Sequence, residues 1–433
     1  MKMIGEFVSP EHPMFTSCVR AFLPRTVKVA FRQWGSSECS CALKVGDVVT
    51  EGQTIATCTK GSLGADVHSP VPGRVLSISR CTLPDGTLGQ TAEIQTGGEF
   101  SFLGKKLTQG TWESLTAKDL VLSFKTGGIV NTFSRKPDAL SGQLAKNRES
   151  KDRLLVVRMF DDDPSRCTDS FLAQKFTAKV AQGARIVAKA MGARGVAFVV
   201  PKKGHLDIDS QPFKEMDFCV VKTDSTKYPA GTKKALISAI RKASRGFENT
   251  LFERAGLGGV FLDPETALCV YNSTVLGLPA VESFVHVTGG CLRASGMFKA
   301  RIGSSVASLA EQCGGFTSSP AKIVVNGLVL GNALASLDVP LTKGVKSLEF
   351  LPSSKLCVQK SLPCIRCGKC RAVCPENLAP DLLCAYTEGM RSLPKSVRRT
   401  SLLCSQCFSC NSVCPSRLPL CQTIALLKNR EQR

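Results

Sequence analysis

The sequence predicts a multidomain chain that mixes β and α/β segments and ends in a small cysteine-rich domain. Short apolar alternations broken by Gly and Pro fill Val27 to Gln95, strand and helix patterns alternate from Trp112 to Ser244, and one cysteine run occurs twice near the C-terminus. A chain of 433 residues has room for about two to four domains. With 43% hydrophobic and 21% charged residues, whole-chain disorder, collagen and coiled coil are excluded.

The β region is read first. Lys44-Val-Gly-Asp-Val-Val-Thr-Glu-Gly-Gln-Thr-Ile55 and His68-Ser-Pro-Val-Pro-Gly-Arg-Val75 alternate apolar residues with turn formers, which implies a small barrel or sandwich. These stretches resemble the two hairpins of the lipoyl/biotinyl barrel-sandwich family. A carrier domain of that family needs a lysine at a hairpin tip. Lys60 is the candidate, but it stands too far before Pro70 for the usual hairpin, and an exposed surface lysine is the plainer reading. Met1-Lys2-Met3 resembles a biotinylation string but is the chain start and not a hairpin.

Next come elements of α/β type. Leu154-Leu-Val-Val157 and Val196-Ala-Phe-Val-Val200 are continuous apolar runs of the kind buried parallel strands show, and Ala173 to Met191 has helical periodicity. Such sheets take ligands outside the carboxyl ends of their strands, so Arg158 to Pro164 is the place to look. Gly256-x-Gly258-Gly259 lacks the remaining glycine and opens no helix after a strand, so it is not a dinucleotide loop. Val281 to Gly315 reads as short strands and one helix, fitting a small β-grasp module, and Val324 to Leu351 adds another strand-and-turn segment. A link follows at Pro352 to Ser354.

Of the 21 cysteines, 11 fall between Cys357 and Cys421. Cys364-x2-Cys367-x2-Cys370-x3-Cys374-Pro375 repeats as Cys404-x2-Cys407-x2-Cys410-x3-Cys414-Pro415. That is the bacterial ferredoxin spacing for 4Fe-4S clusters, in which three near thiolates wrap one cubane and the fourth ligates the other. The ligand sets are therefore Cys364, Cys367, Cys370 and Cys414 for one cluster, and Cys404, Cys407, Cys410 and Cys374 for the second. Pro375 and Pro415 then turn the chain away. Zinc is the alternative, but zinc sites usually separate their CxxC pairs more widely.

Between the runs, Leu382, Leu383, Tyr386 and Met390 sit at helical intervals. Arg391, Lys395, Arg398 and Arg399 follow as a basic connection, facing either an acidic redox partner or solvent. Cys18, Cys39, Cys41, Cys58 and Cys291 lack ligand spacing and are expected to be free buried thiols in a reducing cytoplasm. Cys357, Cys384 and Cys421 lie outside the runs.

Lys and Arg exceed Asp and Glu by 56 to 35, a net charge of +21. Acidic partners are favoured: nucleic acid, anionic lipid head groups and acidic electron carriers all qualify, and with 6% aromatics and no nucleic-acid module, nucleic acid is the weakest of the three. No uncharged apolar stretch reaches the length of a bilayer span, and Met1 to Pro13 has no secretory apolar core. The four histidines are scattered and none lies in a hydrolase motif.

Taken in order, these parts resemble the C subunit family of the Rnf complex, an ion-translocating electron transport complex of bacterial cytoplasmic membranes. That family is related to the flavoprotein subunit of respiratory complex I. The resemblance runs through Val45-Gly-Asp47 with Gly52-Gln53, His68 to Val75, Tyr228-Pro-Ala-Gly231, Val287-Thr-Gly-Gly290, Cys313-Gly-Gly315, Ser336 to Pro340 with Thr342-Lys-Gly344, and both cysteine runs. It implies a barrel-sandwich hybrid over residues 1–110, a Rossmann-like flavoprotein-type α/β domain over 111–247, a β-grasp over 248–351 and a double 4Fe-4S helical domain over 352–433.

The same resemblance places a flavin and NAD region at Gly127, Gly128, Asp161 and Asp163. The family's glycine-rich phosphate loop is replaced after Gly128-Ile129-Val130 by Asn131-Thr-Phe-Ser-Arg-Lys-Pro137, and its acidic strand end reads Arg158-Met-Phe-Asp161-Asp162-Asp163-Pro164. Backbone must approach a flavin phosphate closely there, so FMN and NADH binding are expected to be weakened or lost. The implied role is a peripheral electron-transfer subunit on the cytoplasmic face of the inner membrane, working with other Rnf-type subunits and an acidic ferredoxin- or flavodoxin-like carrier. The alternatives are a fully active FMN-dependent NADH oxidoreductase subunit and a non-redox metal-binding scaffold.

Overall fold

The computed structural model describes residues 15, 17–33, 38–58, 65–147, 153–204, 206–245, 251–356 and 360–432. Lys60, Met1 to Met3 and Cys357 lie outside the described residues.

Strands Thr26–Ala30, Leu88–Thr96, Gly73–Thr82 and Val48–Val49 form an antiparallel sheet in that order. Ser40–Cys41, Thr54–Thr57 and Val67–His68 form a second antiparallel sheet. Alternation along the strands sends Val27, Val29, Ile55, Val67, Val75 and Ile94 into one core. Cys39 and Cys58 correct an expectation, because they are joined in a disulfide rather than free. The register sets Ser40 against Thr57 and Cys41 against Ala56, so the next pair outward is Cys39 with Cys58. Only strand pairing brings together two residues 19 apart in sequence.

The α/β region centres on a parallel sheet ordered Asp217–Thr223, Gly195–Pro201, Leu154–Arg158 and Val260–Leu262. Leu154–Arg158 is buried at every position because helices cover both faces, which is why it reads as a continuous apolar run. The sheet takes its fourth strand, and the helix Pro264–Leu276 that follows, from beyond residue 247, where the sequence placed a domain boundary. Helix Thr177–Met191 packs against that helix, and Gly183 permits the approach: a Cβ there would run into the Ala267 carbonyl oxygen.

The third region is a mixed sheet ordered Val19–Arg20, Gly296–Arg301, Glu282–Thr288, Ser347–Leu351, Lys322–Val325 and Asn332–Leu334. Its two central strands, Glu282–Thr288 and Ser347–Leu351, run parallel although they are the first and last long strands of the region, and helix Val306–Gln312 lies between them in sequence. This is a β-grasp arrangement. Its outer strand Val19–Arg20 comes from the N-terminal segment.

A buried polar knot joins this sheet to the α/β region. Lys346 Nζ lies 2.6 Å from both Asp169 Oδ1 and Asp263 Oδ2. Asp263 also caps helix Pro264–Leu276 by accepting from the Thr266 amide. Glu265 borders the knot, with Oε1 accepting from Ser283 Oγ and Oε2 without a hydrogen-bond partner among the described residues.

Burial pushes the Glu265 carboxyl up to about 7, against the pull of Lys346 and Ser283. The folded state therefore holds this proton more tightly than the unfolded chain does. The resulting stability is complete below the ordinary glutamate range and is lost as pH rises through about 7. Glu265→Gln, neutral at every pH, is expected to raise the urea midpoint at pH 8 and to leave it unchanged at pH 4. An equal effect at both pH values would contradict this account.

The C-terminal region is helical. Pro380–Thr387 packs on Leu420–Glu431 through Leu378, Leu383, Ile424 and Leu427. The connection between the runs is two helices, not one helix and a coil: the first ends before Gly389, whose φ is +76°, and Lys395–Arg399 forms the second. Met390 falls outside both and is exposed. Arg398 turns inward over the Tyr386 ring and toward Glu431, so this part of the basic stretch serves the domain's own packing. Among the described residues, no helix is long and apolar enough to cross a membrane.

Candidate cluster-binding site

The repeated cysteine string folds into a repeated backbone. Residues 366 and 406 have φ of 56°, 368 and 408 have 74° and 58°, and 377 and 417 have 54°. Each run thus turns through the left-handed region at the same three places, two of which flank the middle cysteine. Glycine meets that demand at Gly368, whereas Phe408 adopts it at a cost of about 1 kcal/mol. The turns fold the amides back onto sulfur: Arg366 N lies 3.4 Å from Cys364 Sγ, and Gln406 N lies 3.4 Å from Cys404 Sγ. Leu378 N does the same for Cys374 Sγ at 3.3 Å. Such donors stabilise negative charge on thiolate sulfur.

Cys364, Cys367, Cys370 and Cys414 line one hollow, closed by Pro415, Leu418 and Leu420. Cys374 and Cys404 pack against the same apolar cluster of Leu378, Leu383, Ile424 and Leu427, so this cysteine lies close to the other run. The thiols surround space and do not meet at a point. Among the described residues, no three His, Cys, Asp or Glu side chains gather closely enough for a single ion. A cubane carries each thiolate on a separate iron, and four thiols around one hollow are the donor set it needs.

Cys421 was not singled out by spacing, yet it is buried within hydrogen-bonding reach of Cys404 and Cys410. Its position in the first turn of Leu420–Glu431 brings it there. Nothing local in the sequence marks it.

A cavity of about 370 Å³ separates the second run from the carboxyl ends of the parallel strands. Phe133, Arg135, Arg158, Asp162, Lys233 and Cys407 are among the residues lining it. Arg158 and Asp162 come from the segment the sequence marked as the place to look. Tyr228 Oη donates to the Cys407 carbonyl at 2.6 Å, and the Arg135 guanidinium lies 4.8 Å from the centre of the Phe408 ring. The second cysteine run is thereby fastened to the α/β region.

Residues 15–99 match the RnfC barrel sandwich hybrid domain family. The longer similarity is to curated proteins. The C subunit of the ion-translocating oxidoreductase complex of Rhodobacter capsulatus is 26% identical over 83% of this chain and 69% of its own length. The C subunit of the proton-translocating ferredoxin:NAD(+) oxidoreductase complex of Clostridium ljungdahlii is 25% identical over 83% of this chain and 78% of its own. Its counterpart in the Na(+)-translocating ferredoxin:NAD(+) oxidoreductase complex of Acetobacterium woodii is 26% identical over 81% and 78%. This chain is a homologue of those three proteins. A solved NAD+-reducing NiFe-hydrogenase in its H2-reduced state overlaps with a TM-score of 0.46 at 11% identity, covering 73% of this chain and 61% of that one, too loosely to add anything.

Resemblance to the family suggested a flavin, and the residues present do not fit one. A phosphate cradle needs free backbone N–H groups and no side chain in the way. Here Thr132 N donates to Thr266 Oγ1 and Phe133 N to Asn131 Oδ1, at 2.9 and 3.1 Å. The Phe133 ring occupies the adjoining space, with the Arg158 guanidinium stacked 4.4 Å above it. Arg158 in turn donates to the Gly231 and Phe160 carbonyls.

The four expected flavin and NAD residues do not line the cavity. At Gly127 a Cβ would meet Ser273, and at Gly128 it would meet the Asp66 carbonyl and the Lys343 ammonium. Asp161 accepts from the Asp169 and Ser170 amides. Asp163 accepts from Ser165, Val329 and Leu330, clamping the turn at Gly327, whose φ of +97° and contact with that carboxylate exclude a side chain. Charge survives in this acidic segment, but it is spent on holding loops.

Proposed function

We propose that this chain is an electron-transfer subunit of an Rnf-type ion-translocating oxidoreductase complex, relaying single electrons through two 4Fe-4S clusters without exchanging hydride itself. The observation that supports it most directly is the pair of cysteine runs, with one thiol quartet around a hollow and the fourth cysteine of each run set against the other. Cys364, Cys367, Cys370 and Cys414 would hold one cluster, and Cys404, Cys407, Cys410 and Cys374 the other; when bound they supply one-electron chemistry.

The chain's own residues supply the environment. Arg366 N, Gln406 N and Leu378 N donate toward sulfur. Leu420, Phe408 and Leu418 surround the buried thiols with apolar side chains, and Tyr228 anchors the second run. Phe133 and Arg158 pack on each other where the family's glycine-rich loop is replaced. The partners are the other subunits of such a complex, with an acidic one-electron carrier favoured by the net charge of +21. The chain would sit peripherally on the cytoplasmic face of the membrane.

One anaerobic preparation tests this. Expected are about eight iron and eight sulfide per chain, flavin far below one equivalent, a low-potential paramagnetic signal after dithionite, and no bleaching by NADH. Stoichiometric flavin with NADH bleaching would establish the hydride-exchanging alternative. Zinc in place of iron would establish the scaffold.

A further inference from the structure

The two cysteine runs share a sequence pattern and a backbone, but not an environment. In the first, Cys364 and Cys367 are both exposed; in the second, Cys404 is half-buried and Cys407 is 8% exposed. The difference comes from what covers them. The second run lies under the α/β region, held by Tyr228 on the Cys407 carbonyl and by Arg135 over Phe408. Nearby, Lys234 reaches the Pro375 carbonyl at 3.0 Å and Glu376 at 2.9 Å. The first run faces outward.

Its rim has a definite chemistry. Leu362 and Ile365 stand 56% and 67% exposed beside the exposed thiols. Arg366 and Lys369 are exposed within the run, and Arg417 adjoins it, its carbonyl accepting from Ser361 at 3.0 Å. Among the described residues, no carboxylate pairs with these three cations. Asp381, which lines the same hollow, is engaged by Arg371 through two hydrogen bonds of 2.7 and 2.6 Å. An apolar centre inside an uncompensated basic rim is the pattern of a transient protein–protein contact steered by charge. A small anion would leave Leu362 and Ile365 unused.

We infer that this rim is the docking surface for an acidic protein carrying its own one-electron centre, and that the first run is the outward terminal of the relay. The inference rests on the reading that the runs hold clusters. In the step it implies, one electron leaves the reduced carrier and enters the first-run cluster; the carrier is oxidised by one, the cluster is reduced by one, and no bond forms or proton moves. The reverse step is the same exchange read backwards.

The test uses the full chain with clusters reconstituted anaerobically, and a reduced, acidic plant-type 2Fe-2S ferredoxin as probe. Stopped-flow reduction is followed at increasing ionic strength. The second-order rate is expected to fall by about tenfold or more between about 20 and 300 mM salt. Arg366→Glu with Lys369→Glu is expected to slow the low-salt reaction by a similar factor. Lys202→Glu with Lys222→Glu, an equal charge change at the edge of the parallel sheet, is expected to leave the rate within about twofold. Leu362→Ser, outside the cysteine run, is expected to slow the reaction at every salt concentration with an unchanged salt slope.

Equal slowing by both charge-reversed pairs, or a salt-independent rate, would overturn the docking surface while leaving the clusters standing. So would phosphatidylglycerol vesicles that bind through Arg366 and Lys369 in place of the protein. A wild-type chain without iron, sulfide or a paramagnetic signal would overturn both readings at once.

Discussion

Replacing Cys414 with serine is expected to abolish the same cluster as replacing Cys364, Cys367 or Cys370, although Cys414 belongs to the other run. The hollow bounded by Cys364, Cys367 and Cys370 has Cys414 on its wall, and Cys374 lies beside Cys404 and Cys407. A three-residue spacer carries the fourth cysteine of each run away from its own three, and the proline that follows it turns the chain away. Each single variant should therefore fall from about eight iron to about four, lose the magnetic interaction between clusters, and retain one isolated signal. Cys414→Ser and Cys364→Ser should retain the same signal, Cys374→Ser and Cys404→Ser the other. If Cys414→Ser instead matched Cys404→Ser, each run would be binding its cluster alone. Cys421→Ala is the control. It removes a thiol near Cys404 and Cys410 that stands outside both quartets, and the iron content should stay complete.

The second large effect concerns the buried knot. Lys346 is 1% exposed and lies 2.6 Å from each of two fully buried carboxylates, Asp169 and Asp263. Burial pushes the Asp263 carboxyl up, but Lys346 and Arg158 outweigh it and hold that group well below the usual carboxylate range. Lys346→Met keeps the stem and removes the charge, leaving the two buried carboxylates with only the more distant guanidiniums of Arg158 and Arg166 as counter-charges. The loss of stability is expected to be about 3–5 kcal/mol at pH 7, read from urea midpoints.

The sign of the pH dependence follows. A carboxylate with a depressed folded value contributes stability above its ordinary range, and that contribution disappears as pH falls through the folded value. Without the lysine, the carboxylates gain from protonation, so the gap between variant and wild type should narrow toward pH 4. A gap that stayed constant from pH 7 to pH 4 would show that packing, not charge, accounts for the loss. Because the knot ties the β-grasp sheet to the α/β region, the variant is also expected to expose the segment around Asp263 to hydrogen exchange.

Some of this was legible from residues alone. Leu154-Leu-Val-Val157 and Val196 to Val200 are buried parallel strands as read, since strands covered on both faces need apolar side chains throughout. The strand Val260–Leu262 was missed as a member of that sheet. Three residues have no measurable period, and their partner lies a hundred positions earlier in the chain. The Cys39–Cys58 pairing was hidden for a related reason, since it depends on the register of two short strands. The replacement of the glycine-rich loop by Asn131 to Pro137 was visible at once. What fills the space, Phe133 beneath Arg158, required the structure.

The amino-acid sequence by itself carries the proposed ligand set, because a fixed spacing of thiols in a short loop is a local property that no distant contact is needed to specify. Which of two near-identical runs faces outward, which acids hold loops and which cysteine joins the second set from outside were decided only by tertiary structure. Burial, desolvation and charge pairing depend on residues far apart in the chain, and those neighbours exist only once it has folded.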